Sequence, residues 1–202
     1  HGPVAQCVAL VCHGNAVLGG RRGVCFHGNS TARFCDSIAF VEDVPGGEAR
    51  ILADRPDAWF IHLARGGVAR LRLARAAQNR PLLSDRMSSG FVGGGEPWTM
   101  EASRADGAGA SWQGFWRVWD QKARDQRIWR VVYVRGPASA PDESGTLAAA
   151  RQDFAEALDD IHAFAERNRC GGFVECFAQA RMALSSAPGA RRGFHHDLAP
   201  EG

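Results

Sequence analysis

The sequence predicts an α+β fold: a curved, mainly antiparallel sheet of about six to eight strands, two C-terminal helices packed against it, and a third helix nearer the N-terminus. Three observations lead there. Short segments rich in Val, Ile, Trp and Thr fill the region before residue 135, and three of them form a patterned meander at 97–135. After Pro141 the apolar spacing changes from two to three and four. Strand-rich sequence followed by helical sequence is the order expected of α+β proteins rather than of alternating βα units.

Taken in order, "VAQCVALVC" (4–12) reads as a first strand, because it is short, apolar and rich in Val and Cys. The segment 29–44 fits two patterns. Phe34, Ile38 and Val41 suit a helix capped by Ser30 or Thr31 and stopped by Pro45-Gly46-Gly47, whereas Phe34, Ile38 and Phe40 suit a strand. The good N-cap residues favour the helix. "ARILAD" (49–54) and "AWFIHLA" (58–64) read as strands, and Arg65-Gly66-Gly67 turns the chain into "VARLRLA" (68–74), where Leu71 and Leu73 alternate with Arg70 and Arg72. Residues 76–96 form a connection long enough to suggest a functional loop. Within the meander, Trp112, Gly114, Trp116 and Val118 share one strand face, with "ADGAGA" and "DQKARDQ" as turns. Downstream, Leu147, Phe154, Leu158, Ile161 and Ala165 make one helical stripe that ends at Gly171-Gly172. Phe173, Phe177, Ala180 and Leu184 make a second.

These elements amount to a single domain over 1–202: β-rich at 4–135, helical at 142–186 and irregular at 187–202. A chain of 202 residues buries about 70% of its unfolded surface, enough for a core without disulfides or metals. Six cysteines, several inside apolar runs, read as free thiols, which points to the reducing cytoplasm. Lys122 is the one lysine among 24 basic residues, and this Arg-, Ala- and Gly-rich usage suggests a GC-rich bacterial source. No apolar run reaches the roughly 20 residues of a membrane-spanning helix, so no membrane partner is expected.

No complete catalytic or ligand motif is present. "CHGN" (12–15) and "FHGN" (26–29) repeat His-Gly-Asn. The first copy leads into "GNAVLGGR", which resembles a phosphate loop until Gly20-Arg21, where Lys and a hydroxyl residue are required. Cys7, Cys12, His13, Cys25, His27 and Cys35 are rich in metal-ligating atoms but lack the paired spacing of a zinc knuckle, so neither metal nor cofactor is expected. The second copy runs into Ser30-Thr31. If a helix begins there, Asn29, Ser30 and Thr31 can hold an anion at its first turn, with His27 as the catalytic acid or base. The alternative is that these residues only cap a helix and make a turn.

Two surfaces complete the candidates. Residues 65–86 carry six arginines against Asp85, a local +5, and 142–160 carry six acids against Arg151, a local −5. Arg70 or Arg72 would clamp an acidic group, or the whole Arg face would dock an acidic protein. Nucleic acid is disfavoured, because no aromatics interleave the arginines. Trp112 and Trp116 are core residues or the lining of a pocket between sheet and helices. His195, His196 and Asp197 form a last cluster, in a tail. The expected partner is a small apolar or acidic molecule, and the competing class is an interaction module built on the Arg face.

Overall fold

The computed structural model describes residues 2–44, 48–75, 98–138, 146–185 and 197–198. They belong to two compact units, 1–140 with 195–202, and 141–194. The α+β class and the mainly antiparallel sheet are both present. The 76–96 connection and the His195-His196 pair lie outside the described residues.

The first unit begins with a helix, α1 (Pro3–Leu18), where a strand is expected. Pro3 stands at the start, where its missing N–H is harmless. The buried residues Gln6, Cys7, Ala9, Leu10, His13 and Gly14 follow a period of three to four. Two of these six, Gln6 and His13, are polar, which hides the period from hydropathy and leaves only an apolar run to read. The second departure has the same origin in reverse. Residues 58–64 belong to α2 (Pro56–Arg65), which buries Trp59, Phe60 and Leu63 and leaves Ile61 exposed. The exposed but apolar Ile61 fills the run from Trp59 to Leu63, which then reads as a strand. Pro56 at the start, Asp57 in the first turn and Gly66-Gly67 at the end are ordinary helix signals.

The segment 29–44 resolves as strand rather than helix. A single 3₁₀ turn (Ser30–Ala32) precedes β1 (Cys35–Glu42). It is followed by β2 (Arg50–Ala53), β3 (Val68–Arg75), β4 (Trp98–Arg104), β5 (Gly109–Val118) and β6 (Trp129–Pro137). The sheet order is β2-β1-β6-β5-β4-β3. Every pairing is antiparallel except that of β1 with β6, which is parallel and joins the two ends of the sheet's sequence.

One sheet face is covered by α1 and α2. Phe40 lies flat between Trp59 (centroids 4.2 Å, 7° between planes) and Tyr133 (5.2 Å, 14°), and Trp112 meets Phe40 and Trp59 edge-on. Gly114 is opposite Tyr133, and a Cβ there would come within 2.8 Å of the Tyr133 ring. The absent side chain is what lets the ring lie against the sheet. Each of these buried rings stabilises the layer by about 1.5–3 kcal/mol.

The second unit is a helical hairpin of α3 (Leu147–Arg167) and α4 (Gly171–Ser185), as the apolar stripes predict. Thr146 caps α3 by accepting from the Ala149 N–H, and Arg169 takes a left-handed conformation (φ 56°) that ends it. Among the described residues, no helix is long and apolar enough to cross a membrane.

Candidate functional site

The link from α1 to β1 carries the second His-Gly-Asn. Phe26 is buried and anchors it, packing edge-on to His13 and Phe60, while its N–H donates to Asp57 Oδ1 at 2.8 Å. Gly28, with φ 84°, reverses the chain so that the Asn29 N–H reaches the Phe26 carbonyl at 3.1 Å. Such a left-handed turn position suits glycine. Asn29 then caps the 3₁₀ turn: its Oδ1 accepts from the Thr31 N–H (3.0 Å) and from Thr31 Oγ1 (2.6 Å).

The anion expected at this turn is supplied by the chain. The Ser30 N–H donates to Asp197 Oδ1 at 2.9 Å, and Asn29 Nδ2 donates to the Asp197 carbonyl at 2.7 Å. Asp197 is buried, 4% exposed, and fixes the loop from a position 167 residues away. Asp197 and the turn are therefore joined by two hydrogen bonds.

Beside it opens a cavity of about 550 Å³. His27, Asn29, Ser30 and Arg33 line it from the loop, Asp36 and Ile38 from β1, and Arg55 and Asp57 from the start of α2. Arg127, just before β6, lines it as well. The charges are unevenly spent. Asp36 is bonded to Arg130 at 2.7 Å, and Asp57 accepts from the Phe26 backbone. Arg55 forms a loose ion pair at 3.9 Å with Asp54, which also lines the cavity, and Arg127 one at 3.8 Å with Asp125, both beyond hydrogen-bond reach, and Arg33 rests over the Phe34 ring. Each guanidinium thus keeps donors for an outside acceptor.

α2 adds to this polarity. Its N-cap, Arg55, makes no side-chain cap, and its first backbone bond runs from the Trp59 N–H to the Arg55 carbonyl. The N–H groups of Asp57 and Ala58 precede that bond, so the positive end of the helix lies at the cavity wall.

The structure thus brings together His27, Asn29 and Ser30, whereas Thr31 is buried and supports the turn. Arg70 and Arg72 lie on β3, at the opposite edge of the sheet from β2, and neither lines this cavity. Arg72 bonds Glu101 across the strands through Nε (2.8 Å) and Nη2 (2.5 Å). Trp112 is a core residue that also lines a smaller cavity of about 290 Å³ with His62, Arg104 and Arg135. Trp116 packs edge-on to Trp129. The cavity residues that sequence reading missed are Arg33, Arg55 and Arg127. Arg55-Pro56-Asp57, read as a helix start, is the signal that would have placed one of them.

The first His-Gly-Asn does different work. His13 is buried and its Nδ1 is 2.9 Å from the Ala9 carbonyl. Gly14 lets α1 approach Leu71, whose Cδ1 would be 2.4 Å from any Cβ. All six cysteines are free, and among the described residues no three His, Cys, Asp or Glu side chains gather as one metal site. No family model matches the chain, and neither a curated protein nor a solved structure resembles it significantly.

Proposed function

We propose that the protein binds a small acidic molecule, one carrying a carboxylate or phosphate group, in the cavity beside the second His-Gly-Asn. One observation carries this reading: three guanidiniums with unspent donors, an exposed imidazole and a helix N-terminus converge on about 550 Å³. That volume is within the usual range for small-molecule sites. Arg33, Arg55 and Arg127 take the acidic group, Asn29 and Ser30 hold one wall, and His27 is the group placed to exchange a proton with the bound molecule. The Arg face is the weaker basis for binding, because Arg72 spends two donors on Glu101. The free thiols and the Arg-dominated composition favour a bacterial cytoplasmic setting.

Thermal unfolding in the presence of inorganic phosphate, dicarboxylates and small phosphate esters tests the reading. At least one should raise Tm in a saturable way, since a ligand that binds only the folded state stabilises it by mass action. Arg55→Ala and Arg33→Ala should each weaken that response by roughly tenfold or more. A Tm indifferent to the whole panel, or a shift that survives both substitutions, removes the proposal.

A further inference from the structure

We infer that the α3–α4 hairpin is one half of a four-helix bundle, completed by the hairpin of a second copy of this chain. The two helices carry the same seam. Phe154, Leu158, Ile161 and Ala165 on α3, and Phe173, Phe177, Ala180 and Leu184 on α4, both step by four, three and four. That alternation marks helices packed at the shallow angle of bundles. A helix in such a bundle needs cover on both flanks of its seam, and within the hairpin each helix has only the other as neighbour. Leu158 (7% exposed) and Ala165 (2%) are buried, whereas Phe154 (54%), Ile161 (44%) and Phe173 (63%) are open to solvent.

The seams are held in that orientation. Arg181 pairs with Asp159 at 2.5 Å, Arg151 bonds the Leu184 carbonyl, and the Cys170 N–H closes the turn on the Ala165 carbonyl at 2.9 Å. Rolling either helix to hide its aromatic residues would break these contacts. A two-helix unit is also below the size at which a core normally stabilises itself.

Dimensions and charge favour a second copy as the cover. Helices of 21 and 15 residues are about 31 and 22 Å long, so two stacked hairpins bury on the order of 1,000 Å² in all. That is the lower end for a specific interface and implies a dimer that dissociates on dilution. The copy presents a seam of the same spacing and length. Along the flank of α3, Asp153 and Arg167 lie two heptads apart, so antiparallel packing of α3 on its copy sets each acid near the other's base. Asp160, between them, is already engaged within the chain.

Sedimentation of the full chain over a dilution series reads the outcome. The expected result is a concentration-dependent mass approaching twice 21.8 kDa. The exposed pair Phe154→Glu with Phe173→Glu should leave a monomer, and Trp fluorescence should be unchanged because every tryptophan belongs to the other unit. As a substitution that touches no apolar residue, Asp153→Arg should weaken dimerisation roughly two- to fivefold, and adding Arg167→Asp should restore it. A chain that stays monomeric throughout overturns the inference, as does a dimer that survives the double Glu substitution, or one indifferent to Asp153→Arg. A monomer would mean that the seam is covered by another part of the chain or by a different protein.

Discussion

Gln6 and Tyr133 show how polar atoms are carried into this core. Gln6 is fully buried, yet its Nε2 donates to the Thr31 carbonyl at 3.0 Å and lies 3.6 Å from Cys35 Sγ, while its Oε1 accepts from the Tyr133 hydroxyl at 2.9 Å. Cys7 Sγ is 3.7 Å from the same hydroxyl. The cluster joins α1 to β1 and β6 and to the turn that begins the cavity. Burial raises the Cys7 and Cys35 thiols above their usual range, and burial with the neighbouring thiols pushes the Tyr133 phenol well up. The folded chain therefore keeps protons that the unfolded chain gives up. This contribution to stability is complete below about pH 8.5 and is lost as pH rises past the ordinary thiol and phenol values, near 8.5 and 10. Urea midpoints should accordingly fall from about pH 8.5 upward. Tyr133 is the sole tyrosine, so tyrosinate absorbance reports it without overlap. It should grow only as the protein unfolds; a normal titration in the intact fold would sink this account.

At the level of elements, the two sheet edges differ. β3 is an edge strand, and α1 attaches to it by mimicking a strand. Asn15 Nδ2 donates to the Leu71 carbonyl at 2.9 Å, and the Leu71 N–H donates to Asn15 Oδ1 at 2.7 Å. The side-chain amide thus makes the pair of bonds that a neighbouring peptide group would make, closing one position of the edge. Asn15→Ala should cost about 1–3 kcal/mol and raise hydrogen exchange at the Leu71 amide. If the Leu71 amide exchanges at its wild-type rate, the pairing is incidental. The same pair of bonds explains what the sequence left hidden. The meander and the C-terminal helices were legible because their periods involve only apolar residues. α1 was not, because Gln6, His13 and Asn15 serve its packing with polar atoms. The parallel β1–β6 pairing joins strands some ninety residues apart and leaves no local signature. The candidate site was legible in its first half, the His27–Ser30 turn. Its other half, Arg55 and Arg127, comes from segments whose proximity depends on that pairing and on α2 being a helix.

The whole chain combines a well-buried unit with a sparsely buried one. The first holds the stacked core of Phe40, Trp59, Tyr133 and Trp112; the second has only Leu158 and Ala165 buried among its described side chains. Stability should follow that division, since cooperative opening is easiest where few apolar contacts must break. The sequence places the probes conveniently. All six tryptophans, at 59, 98, 112, 116, 119 and 129, belong to the first unit, while α3 and α4 supply most of the helix among the described residues. At low protein concentration, far-UV circular dichroism should therefore begin to fall at lower denaturant than Trp fluorescence. Two transitions that fail to coincide mark the loss of two-state behaviour. If the hairpin is stabilised by a second copy, the early transition alone should move to higher denaturant as protein concentration rises. Coincident curves at every concentration would show instead that both units unfold as one, with the exposed seam contributing no independent weakness.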